Sequence, residues 1–151
     1  MNSLLQSSLY GKEFIKYKQN NTNTYRKQFS RSINDEDIPV VIDSIDDNLS
    51  KQLAGKDQRR IHRNGCELKF NKNFLINEII IELKSKIKLD QNKIYKLGLE
   101  NGTILNGNEN IELLYKKYKN KDDDILYLLL TEELTIYGYI MSILRYIFGK
   151  N

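Results

Sequence analysis

The sequence predicts a mixed α+β fold, a small sheet rolled against one helix, on three observations. Asn64-Gly65 is a dipeptide that accepts positive φ at both central positions of a type I′ hairpin turn. Ile76, Ile79, Ile80, Leu83 and Ile87 recur at helical spacing. Residues 125–130 form an unbroken apolar run, the pattern of a central strand covered on both faces.

The length of 151 residues suits one compact domain with tails, and 40% hydrophobic with 29% charged residues is a globular composition. The net charge of +4 matters less than its distribution. Residues 1–33 hold six Lys/Arg against one acid, 34–50 hold six acids and no base, and 51–72 hold seven bases against two acids. A single cysteine, Cys66, excludes an intramolecular disulfide, and with His62 as the one histidine it cannot complete a structural zinc site. The start of the chain shows no basic n-region followed by a long apolar run, so the expected setting is the cytoplasm.

Taken in order, residues 1–34 are rich in Asn, Ser, Thr and Lys without a sustained apolar period and are expected to be largely disordered. Residues 35–55 read as an amphipathic helix: Asp35, Glu36 and Asp37 precede Pro39 in a first turn, Ile42, Ile45, Leu49 and Leu53 follow at helical steps, and Gly55 closes it. Residues 56–133 read as the main domain. In it, residues 58–70 form a hairpin about Asn64-Gly65 that sets His62 opposite Glu67 and Arg60 opposite Lys69, with Ile61, Cys66, Leu68 and Phe70 on one face. The Ile-lined helix follows, then a strand over 93–99, a turn at Glu100-Asn101-Gly102, a short return over 103–105, a short helix over 109–118 and the apolar strand. Residues 134–151 carry a hydrophobic helix.

This order, ββαββαβ, resembles the ubiquitin-like β-grasp roll, here with an N-terminal helix and a hydrophobic C-terminal helix added. Within that superfold, Leu97-Gly98-Leu99-Glu100-Asn101-Gly102-Thr103-Ile104 with Leu113-Leu114 and the acidic lead into the last strand looks like the CIDE-N type. Ras-binding and doublecortin-like domains share the hairpin and helix. The resemblance implies a protein-binding role rather than a reaction. Gly149-Lys150-Asn151 is not a Gly-Gly conjugation tail, which argues against use as a covalent modifier.

Lys56, Arg59, Arg60, His62, Arg63 and Lys69 form a candidate basic face, and a like-charge pair of Arg60 and Lys69 would be relieved by an acidic partner. Glu100, Asp122, Asp123 and Asp124 are the candidate acidic face, offering self-association by complementary charge, while the Ras-binding resemblance offers a small GTPase as partner. A solvated charged surface is the plainer reading of the same residues. No aromatic residue interleaves with the arginines, which argues against nucleic acid. Leu134, Ile140, Ile143, Leu144, Ile147 and Phe148 must find cover on the sheet, in a partner or at a membrane surface, with the sheet preferred. No catalytic constellation, phosphate loop or cofactor motif is present in the sequence, so the expected protein is not an enzyme.

Overall fold

The computed structural model describes residues 12–54, 65–133, 143–144 and 146–148. Two helices open the described chain, α1 (Lys12–Asn20) and α2 (Asn23–Ser32). Over these residues the chain is helical where disorder was expected, and the rest of that expectation, residues 1–11, lies outside the described residues. The stripe that folds them is aromatic and polar: Phe14, Tyr17, Asn21 and Arg26 are buried at steps of three to five residues. Two of the four count as polar, so an aliphatic period fails to register. Thr22 caps α2, its hydroxyl accepting from the Tyr25 N–H at 3.1 Å.

The expected helix over 35–55 is two elements, strand β1 (Asp37–Asp43) and helix α3 (Asp47–Ala54). Ile38, Val40, Val41 and Ile42 are β-branched and favour the pleated state. Asp46 then starts α3 by accepting from the Leu49 N–H at 2.9 Å. Pro39 is tolerated because the ladder to the neighbouring late strand begins only at Val40.

Strand β2 (Cys66–Asn71), helix α4 (Ile76–Lys86), strand β3 (Ile94–Leu99), helix α5 (Ile111–Tyr118) and strand β4 (Leu126–Glu133) complete the fold. The sheet order is β2-β1-β4-β3. β1 runs antiparallel to β2, from Asp37 opposite Asn71 to Ile42 opposite Cys66. It runs parallel to β4, from Val40 opposite Leu126 to Asp43 opposite Leu129. β3 and β4 are antiparallel. First and last strands thus lie side by side in the middle, the β-grasp arrangement, with β1 upstream of the 56–133 span in which the domain was expected. The expected partner strand of the hairpin, residues 58–63, lies outside the described residues, and β2 takes its described partner from β1 instead. Gly65 keeps the positive φ, at 102°.

Alternation in β1 and β4 divides the core. Val40, Ile42, Leu126, Leu128 and Leu130 face α4 and α5 with Ile76, Ile79, Leu83 and Ile111. Val41, Ile125, Tyr127 and Leu129 face Phe14 and Tyr17 of α1. Both faces are covered, as the apolar run predicts, and among the described residues the second cover comes from α1 and α2. Of the hydrophobic segment after β4, Leu134 and Ile140 lie outside the described residues, whereas Ile143, Leu144, Ile147 and Phe148 are helical and exposed.

Asn110 ties the lower end of the roll. It caps α5 by accepting from the Leu113 N–H at 3.1 Å, and its amide donates to the Lys72 carbonyl at 3.0 Å. Asn110→Ala should cost about 1–2 kcal/mol, read as a lower denaturant midpoint at unchanged slope; a shift of under about 0.5 kcal/mol would remove the tie from the account.

Candidate protein-interaction site

Among the described residues β2 is the outer strand of the sheet beside β1. Its alternation sets Phe70 into the core with Cys66 and Leu68 half-buried against the same cluster. Glu67 and Lys69 take the other side. The Tyr25 hydroxyl of α2 donates to the Glu67 carboxylate at 2.9 Å, which fixes the helix pair beside the strand. Lys69 is exposed and opposite Pro39, so the Arg60 and Lys69 cross-strand pairing is not the one β1 provides. Lys56, Arg59, Arg60, His62 and Arg63 lie outside the described residues.

The candidate acidic residues do not form one face. Asp123 is fully buried and receives three donors: Arg26 Nη1 at 2.6 Å, the Ile125 N–H at 3.1 Å and the Tyr127 hydroxyl. It is a clasp between α2 and the approach to β4, unavailable to a partner. Asp124 adopts a positive φ of 58° and pairs with Lys119 at 3.4 Å. Glu100 lies 3.8 Å from Lys18 of α1, and burial raises its carboxyl above the ordinary value while Lys18 acts in the opposite sense. Asp122 is exposed.

Sequence reasoning missed Arg26 and the tyrosines around it, since an arginine beside Lys27 in a polar stretch carries no pattern that marks it as buried. Burial raises the Tyr17 and Tyr127 hydroxyls well above the usual 10.0, with the bond to Asp123 adding to the effect on Tyr127. The folded state therefore holds protons that the unfolded chain releases, and stability falls as pH rises above about 10. A series of denaturation curves should show that decline, flattened in Tyr127→Phe; an equal slope in both proteins would dismiss the buried hydroxyl as its source.

Among the described residues no group of three or more His, Cys, Asp or Glu could hold a metal ion. No described helix is long and apolar enough to cross a membrane.

Strand order, the helix across one face and the helix pair on the other can be set against solved structures. The crystal structure of Trypanosoma brucei ATG8 superposes with a TM-score of 0.61 at 20% identity, over 78% of this chain and 94% of that chain. The fold is a ubiquitin-like β-grasp. The match covers nearly all of the ATG8 chain, so the likeness extends beyond the sheet and its main helix. No protein-family model matches the sequence, and no curated protein does.

Proposed function

We propose that the chain is a non-enzymatic ubiquitin-like adaptor that takes an extended acidic segment of a protein partner along β2. The observation that carries this reading is the position of β2 at the margin of the described sheet, with exposed Lys69 on one side and half-buried Leu68 on the other. A strand at a sheet margin offers backbone donors and acceptors to an added strand, and alternate side chains then read the ligand. Lys56, Arg59, Arg60, His62 and Arg63 stand just before β2 in sequence and supply the charge that selects an acidic ligand. The likeness to ATG8 supports an interaction module of this general kind.

A separate acidic partner fits better than self-association. Of the four residues of the acidic face, Asp123 is engaged by Arg26, Glu100 sits beside Lys18, and Asp124 beside Lys119. The CIDE-N resemblance, which implies head-to-tail charge pairing, is correspondingly the weaker guide, whereas the acidic strand edge implied by the Ras-binding resemblance is one form the partner can take.

Selection from a random displayed-peptide library should enrich extended acidic peptides with alternate apolar anchors. Arg60→Glu combined with Lys69→Glu should weaken their binding at least about tenfold, and more at low salt. Enrichment of basic or helix-forming peptides, or binding unchanged by the double reversal, would reject the β2 site.

A further inference from the structure

The turn over 106–109 links the start of α4 to the start of α5. The Asn106 carbonyl accepts from the Glu109 N–H at 3.0 Å, which closes a β-turn with Gly107 at its second position. The Gly107 carbonyl accepts from the Asn77 N–H and the Glu109 carbonyl from the Ile76 N–H, each at 3.0 Å, so the turn satisfies two N-terminal donors of α4 that the helix itself leaves unpaired. The Glu109 carboxylate accepts from the Asn106 N–H at 2.7 Å. A Cβ on residue 107 would have to displace the Asn77 side chain, so packing holds the position to glycine.

That requirement places an exposed asparagine directly before a glycine. With no side chain in the way, the Gly107 amide nitrogen can attack the Asn106 Cγ and close a succinimide ring. Two features of the turn favour the attack. Asn106 Oδ1 accepts from the Asn108 N–H at 2.9 Å, a bond that stabilises the negative charge developing on that oxygen. Among the described residues the Gly107 N–H donates no hydrogen bond, so the nucleophile is free. Asn101-Gly102 supplies an internal comparison. Asn101 Oδ1 likewise accepts from the Thr103 N–H, at 3.0 Å, but the Gly102 N–H is committed to the Leu99 carbonyl at 2.9 Å. The asparagine of the third such dipeptide, Asn64-Gly65, lies outside the described residues.

From the free amide, the polarised carbonyl and the glycine that packing imposes, we propose that Asn106 is a site of spontaneous deamidation whose products weaken the junction of α4 and α5. The Gly107 nitrogen gives its proton to hydroxide and bonds to the Asn106 Cγ. The Cγ–Nδ2 bond breaks, and Nδ2 leaves as ammonia with a proton from water, which regenerates the hydroxide. Water then adds to either ring carbonyl and opens the ring to aspartate or isoaspartate, with no change of oxidation state. Aspartate brings a second negative charge to the neighbourhood of the Glu109 carboxylate. Isoaspartate runs the chain through Cγ, and the added main-chain carbon shifts the Gly107 and Glu109 carbonyls off the N-terminus of α4. The inference is independent of the β2 reading.

The full chain is aged in mildly alkaline water enriched in heavy oxygen, and its peptides are weighed. Label should enter at Asn106 at least about fivefold faster than at Asn101, where the Gly102 N–H must first be freed, and at equal rates when the chain is aged in denaturant. An isoaspartate methyltransferase should methylate the aged protein at position 106. The aged protein should unfold at a lower denaturant concentration than the fresh one. Asn106→Ser, whose hydroxyl can keep the turn, should show neither label at 106 nor that part of the loss, and fresh Asn106→Asp should reproduce some of it. Absence of label at Asn106 in the folded chain, equal labelling of Asn101 and Asn106 in the folded chain, or an equal loss of stability in aged Asn106→Ser would overturn the proposal.

Discussion

Replacing Asp123 with alanine should lower the stability of the domain by about 3–5 kcal/mol, a fall of roughly 10 °C in Tm. The substitution strands Arg26, whose side chain is only 11% exposed, without the carboxylate 2.6 Å away. It also removes the acceptor of the Ile125 N–H and of the Tyr127 hydroxyl at the entry to β4. Each buried donor left unsatisfied adds its own desolvation cost. Arg26→Ala should cost less, because the Asp123 carboxylate keeps the Ile125 N–H and the Tyr127 hydroxyl as donors. Denaturant titration of the two variants orders them. Hydrogen exchange adds a regional readout, with protection lost first over residues 12–32, where the clasp acts. A change of under about 1 kcal/mol in Asp123→Ala would mean that α2 is held mainly by its apolar contacts.

A chain beginning at Asn34 should fail to fold to a soluble monomer. The truncation uncovers Val41, Ile125, Tyr127 and Leu129, each no more than 2% exposed in the intact protein. It removes Phe14 and Tyr17, whose rings pack edge-on against Tyr127 at centroid distances of 5.0 and 5.9 Å. Each such aromatic anchor is worth about 3–5 kcal/mol, so two of them approach the whole of a typical domain stability of about 5–15 kcal/mol. The truncated chain should bind a hydrophobic dye strongly and sediment as aggregate. A soluble monomer with the parent's unfolding midpoint would show that the helix pair is accessory after all, as the composition of residues 1–34 suggests.

The candidate site was legible in part. Half-burial of Leu68, burial of Phe70 and exposure of Lys69 follow from alternation along β2, which local sequence expresses directly. That β2 pairs with β1 across a separation of some thirty residues, and not with residues 58–63 on its described side, is a long-range choice that a turn dipeptide cannot encode. The acidic face failed for a similar reason. Asp122, Asp123 and Asp124 are neighbours in sequence, yet Arg26 draws the middle one into the interior while the outer two stay wet.

Sequence alone determined the β-grasp class, the Ile-lined helix α4 and the central placement of the last strand, because a run of six apolar residues can be stable only where both sheet faces are covered. Tertiary structure alone decided what covers the second face and where the first strand lies. Among the described residues that face is covered by two helices anchored by Phe14, Tyr17 and a buried Arg26–Asp123 pair, where the sequence reading expected the aliphatic segment after β4. Local hydropathy ranks the aliphatic segment higher, but an ion pair and edge-on ring contacts gain their value only once distant residues meet in a dry interior.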